Sequence, residues 1–218
     1  MLFFRFDRLS IAATGVVVAC AFSACRSGDA STGMAGPTQR AIPGIAAVPI
    51  SDLGLTVDEA YAAIPHRRTA VLFTGSKIPK ADQDYLQVVF ATIDQAILLR
   101  VTTYQNYSRG RTADPLAISR MDRLLVFLRS VDPPPLLKTY HKRIEQAVSD
   151  QRAFFEDWRT QGSEFTYARG AGLGSHPKVA SSSSALKEAY GILMQSYPAE
   201  NEHNREAFFD YHCALDFL

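Results

Sequence analysis

The sequence predicts an all-α fold: an antiparallel up-and-down helical bundle of four to five helices after a disordered N-terminal tether. Apolar residues recur every three or four positions through several long segments. Proline, glycine and capping side chains punctuate those segments at short intervals, and short connections favour antiparallel neighbours. No strand signal exceeds the apolar run Ala70-Val71-Leu72-Phe73, and no internal repeat is evident.

The chain opens on Arg5 and Arg8, a short positive head, with Asp7 as a partial offset. Leu9 to Ala24 is then almost wholly apolar or small. That length suits the hydrophobic region of a signal peptide and falls short of the ~20 apolar residues a membrane-spanning helix needs. The stretch closes on Phe22-Ser23-Ala24-Cys25, small residues directly before a cysteine. This resembles the lipobox of bacterial lipoproteins, which implies that Cys25 carries the lipid (palmitate being a usual acyl chain) and becomes the mature N-terminus. Val17-Val18-Ala19-Cys20 fits the same pattern, so Cys20 stands as the alternative lipid site. Residues 1–24 are therefore read as signal peptide, 25–51 as a flexible tether rich in Gly, Ser, Ala and Pro, and 52–218 as a helical-bundle domain.

Setting signal and tether aside leaves roughly 165 residues, one ordinary domain able to close a core. The formal net charge is +1, and no basic face or stripe of the kind nucleic-acid binding needs is apparent. Cys213 is alone in the domain, so the reading includes no internal disulfide, and it reads as a small buried hydrophobe.

Within the domain, Thr56-Val57-Asp58-Glu59 is a capping box opening a short helix that Pro65 stops. Leu86, Phe90, Ile93, Ile97, Val101 and Tyr104 mark one long helix over 82–108. Asp114-Pro115 opens the next, with Ile118, Met121, Leu125 and Leu128 on its core face. Pro133-Pro134-Pro135 ends it and starts a third long helix carrying Tyr140, Ile144, Val148, Gln151, Phe155 and Trp158, which closes at Gly162. Residues 162–182 read as a Gly-rich loop, after which Ser183 or Ser184 caps a helix ended by Pro198. A last helix over 200–217 buries Phe208, Tyr211 and Leu215.

Several constellations carry candidate chemistry. His66-Arg67-Arg68 is the densest cationic cluster of the domain and suits a carboxylate or phosphate held through forked guanidinium donors. The alternative is that an arginine covers the last carbonyls of the preceding helix. His212 and Asp216, and His141 and Glu145, are spaced i, i+4; a metal site composed of His141, His212 and Asp216 across the bundle is the ligand set they permit. Glu200 and His203 share one E-x-x-H, where a di-iron carboxylate bundle uses two, so this reads as a solvated first turn. No C-x-x-C-H is present, which leaves a haem only a non-covalent pairing of a His with Met121 or Met194. Gly75-Ser76-Lys77 lacks the rest of a phosphate-binding loop, and the serines at 181–184 lack the strand-turn-helix setting of a hydrolase nucleophile.

The expectation is a lipid-anchored domain of the bacterial cell envelope, on the periplasmic face or the cell surface. It would act as a non-enzymatic binding module built on the His66–Arg68 turn and the Gly-rich loop. Its partners would be the membrane, through the lipid, and an envelope protein or a small anionic ligand, with no nucleic acid. No motif implies a cofactor. A metal- or haem-binding bundle is the alternative reading, and an enzyme the next.

Overall fold

The computed structural model describes residues 55–64, 66–108, 115–165 and 173–217, all of which belong to one unit, Arg40–Leu218. The signal, the tether, both candidate lipid cysteines, Asp114 and residues 166–172 of the Gly-rich stretch lie outside them. Six α-helices account for most of the described chain: α1 (Val57–Ala63), α2 (Lys80–Ser108), α3 (Pro115–Ser130), α4 (Lys138–Gln161), α5 (Pro177–Ser196) and α6 (Glu202–Leu215). Single 3-10 turns lie at Pro135–Leu137, Gly162–Glu164 and Leu173–Ser175, and no strand occurs among the described residues. Each helix from α2 to α6 packs on its successor, α6 returns to α2, and α1 lies on α2. The fold is the predicted helical bundle, with five helices in the round.

The predicted capping box forms. Thr56 Oγ1 accepts the Glu59 amide at 3.2 Å while the Glu59 carboxylate accepts the Thr56 amide at 2.7 Å. Tyr61 then points into the core. α2 is the central element and is buried without interruption from Thr92 to Val101. By length and composition it is apolar enough to cross a membrane, yet 78% of its most apolar window is buried inside the protein, as befits a core helix. Its threonines avoid stranding their hydroxyls by bonding back one turn: Thr92 to the Val88 carbonyl, Thr102 to Leu98, Thr103 to Leu99. α3 and α4 meet through the core residues the periodicity marks and are tied at the surface by a two-pronged Arg152–Asp122 contact, at 2.8 and 3.2 Å.

The start of α5 departs from the expectation. Neither Ser183 nor Ser184 is its cap; the helix begins at Pro177, with His176 accepting the Lys178 amide on Nδ1 at 3.2 Å. The predicted loop over 162–182 is shortened accordingly. Serine is a poor helix former because its hydroxyl competes for backbone partners. Here the hydroxyls bond across to other elements instead. Ser181 donates to Asp150 at 2.6 Å, Ser182 to the Ala147 carbonyl at 3.2 Å and Ser183 to Asp216 at 2.7 Å.

The second departure concerns Glu200 and the segment before α2. Ala70–Phe73 is no strand, although its backbone finds strand-like partners. Asn204 of α6 accepts the Leu72 amide at 2.8 Å and donates to the Leu72 carbonyl at 2.9 Å. Glu200 is not part of a solvated first turn. It precedes the Asn201 cap, is buried, and accepts from Ser76 Oγ at 2.8 Å, the Lys77 amide at 3.0 Å and Asn204 Nδ2 at 2.8 Å.

Candidate pocket around Arg100

Where the last third of α2 meets the end of α1 and the end of α6, the packing leaves a pocket of about 400 Å³. Ala63, Ile64 and His66 close it from the α1 side, and Val101, Tyr104 and Gln105 from α2. Leu173, Asp216 and Phe217 complete the lining, so the pocket lies between the turn after α1 and the described end of the Gly-rich stretch.

Arg100 is the group that sets its chemistry. The side chain is 6% exposed. Its hydrogen bond among the described residues runs from Nη2 to the Ala214 carbonyl; Nε is buried and has no partner. The Phe217 ring lies against the guanidinium carbon, 5.4 Å from its centroid. No carboxylate of the described residues forms an ion pair with it. Burial pushes its pKa down to about 10, against the upward pull of the Asp216 charge, so the group still carries its proton at neutral pH.

Asp216 closes α6 through its amide, bonded to the His212 and Cys213 carbonyls at 3.1 and 3.2 Å, and its Oδ2 takes the Ser183 hydroxyl. His66 is half-buried, with Nε2 3.9 Å from Cys213 Sγ. Burial pushes that thiol up, and the nearby Asp216 and Asp210 charges push it the same way. Cys213 is therefore a thiol at neutral pH, not an activated nucleophile beside a histidine.

The three residues of the predicted cationic cluster part company. His66 lines the pocket. Arg67 is 83% exposed and reaches Glu206 at 3.6 Å. Arg68 turns inward, with Nη2 2.6 Å from Asp94 and Nη1 2.9 Å from Asp58. The chain is non-helical here, and the two arginines end on different partners. Arg67 and Arg68 thus form no joint fork for an anion, and neither arginine covers the α1 carbonyls by a described bond.

The predicted metal ligands are not brought together. Among the described residues no three His, Cys, Asp or Glu side chains gather in a way that would hold an ion. His141 Nδ1 is bonded to the Tyr85 hydroxyl at 2.9 Å. His212 is buried in α6, with Nδ1 on the Phe208 carbonyl of its own helix and Nε2 without a partner. Burial holds its pKa down to about 4, so it is neutral. Met121 is fully buried in the core and Met194 packs against it, as space-filling side chains do.

Sequence reasoning missed Arg100. Its signal was present: a single charge inside Ala96-Ile97-Leu98-Leu99-Arg100-Val101, at a position that the helical period buries. The pocket itself has no sequence signature, since it assembles from four separate stretches. No protein family, curated protein or solved structure matches this chain.

Proposed function

We propose that this protein is a lipid-anchored module of the bacterial cell envelope that binds a small molecule in the Arg100 pocket. The single observation that supports binding is that pocket, which joins an apolar lining to a buried cation with no ion-pair partner among the described residues. Ligand sites are concave and mostly apolar, with few polar groups that fix orientation, and this one has that makeup. His66 and Leu173 at its edge belong to the two irregular stretches that the sequence singles out for recognition. The anchor rests on the lipobox-like Phe22-Ser23-Ala24-Cys25.

Native mass spectrometry of protein purified from its own envelope tests the reading. The expected spectrum shows an organic molecule that leaves on denaturation. It should be missing from Ala63→Trp, which fills the mouth from an exposed position. A ligand retained equally by Ala63→Trp would place binding elsewhere and contradict the assignment.

A further inference from the structure

A guanidinium withdrawn from water is costly unless an anion or several hydrogen bonds compensate it. Arg68, a less deeply buried inward-facing arginine, has two carboxylates. Among the described residues Arg100 has one backbone carbonyl, an aromatic face and a buried, unbonded Nε, and the residue borders open volume. The planar fork of arginine matches a carboxylate with two parallel N–H···O bonds. Ile64, Val101, Leu173 and Phe217 offer an apolar bed beside it. Asp216, whose Oδ2 takes the Ser183 hydroxyl, brings a negative charge to the same lining. That charge opposes any anion, a dianion such as phosphate more than a monocarboxylate, so the forked hydrogen bonds and the apolar bed have to favour the ligand. The pocket volume sits at the small end of ligand sites.

We propose that the Arg100 pocket selects an organic monocarboxylate with an apolar or aromatic body, its carboxylate on the guanidinium and its body against Leu173 and Phe217. This rests on the reading of the pocket as a ligand site, and it names the class of ligand. It also gives a role to the single charge in the apolar stretch Ala96–Val101 of α2.

Titration calorimetry on the full-length protein in detergent tests it with three probes: 4-phenylbutyrate, its neutral amide and inorganic phosphate. The expected order is acid first, the amide at least about tenfold weaker, which corresponds to about 1.4 kcal/mol, and no heat from phosphate. Arg100→Met should remove the preference for acid over amide and leave amide affinity as it was. Should Arg100→Met lose helicity, Arg100→Lys keeps the charge without the fork and should still weaken the acid selectively. Equal affinity of wild type for acid and amide overturns the carboxylate proposal while leaving the pocket a ligand site. Binding of neither organic probe overturns the proposal as well, and phosphate binding tighter than the acid refutes the monoanion preference. If the native ligand proves insensitive to Ala63→Trp, the underlying reading fails independently of these titrations.

Discussion

Arg68, Asp94 and Tyr61 form the most heavily buried ionic contact in the described structure. Asp94 takes the guanidinium at 2.6 Å and the Tyr61 hydroxyl at 3.0 Å, and its side chain is nearly inaccessible. Removing one partner of such a pair strands the other charge, which costs about 3–5 kcal/mol. Arg68→Ala is therefore expected to lower unfolding free energy by about that much in urea titrations, and Arg68→Ala/Asp94→Asn to recover a large part of it. A loss below about 1 kcal/mol in the single variant would show the pair to be a surface contact in energetic terms. Acid should act through other groups. Burial lowers the pKa of His212 to about 4, and burial also lowers those of His141 and His176. Glu200 is lowered as well: burial alone would raise it, but bonds from Asn204, Ser76, Lys77 and Asn201 outweigh that. A folded-state pKa below the unfolded value means that the unfolded chain binds more protons. The stability is then complete above the unfolded pKa and is lost as pH falls. For His212 the window runs from about 6.5 to about 4 and is worth on the order of 3 kcal/mol. His212→Gln should flatten the fall of the melting temperature across that window; an unchanged slope would mean that the buried imidazole is not what titrates.

Among the elements, Asn204 gives the irregular 66–79 segment its place. One amide side chain satisfies both backbone groups of Leu72 and also donates to Glu200, so a residue of α6 stands in for a missing neighbouring strand. Asn204→Ala is expected to cost on the order of 2 kcal/mol and to open the segment to protease near Leu72, read by limited proteolysis and mass mapping. The run Ala70–Phe73 carried the best strand signal in the sequence, but it forms no strand, and the partner of Leu72 is a side chain that no periodicity reveals. The reverse happened at α5. Four consecutive serines argue locally against helix, yet the hydroxyls of the first three find Asp150, Ala147 and Asp216 on facing elements, and that of Ser184 turns to Glu188 of its own helix. Tertiary partners overrode propensity there. α3, α4 and α6 were legible because each repeats its apolar residues with regular spacing between proline, glycine or Asx signals, and α2 from the same spacing although it is buried all round from Thr92 to Val101.

For the whole molecule, legibility divides between scaffold and site. Repeated apolar spacing over tens of residues specifies a bundle in any single sequence. A pocket made where α1, α2, the stretch before α5 and the end of α6 converge depends on how the helices cross, and no local pattern encodes that. The sequence accordingly pointed to His66, which does line the pocket, and paired it with Arg67 and Arg68, which do not. The anchor is a separate question at the same scale. If Cys25 is the lipid site, Cys25→Ser should leave the protein in the soluble fraction, and Cys20→Ser should remain in the membrane with unchanged mature mass; the opposite pattern would move the lipid to Cys20.

The most direct test of the central claim is where a ligand lands. Side-chain resonances of the isotopically labelled full-length protein, followed during addition of 4-phenylbutyrate, report Arg100 Nε–H, His66, Tyr104 and Phe217 separately from Arg67 and Arg68. Binding in the Arg100 pocket gives saturable shifts at the first four and silence at the two other arginines. Shifts centred on Arg67 and Arg68 instead, or none at Arg100, would contradict it.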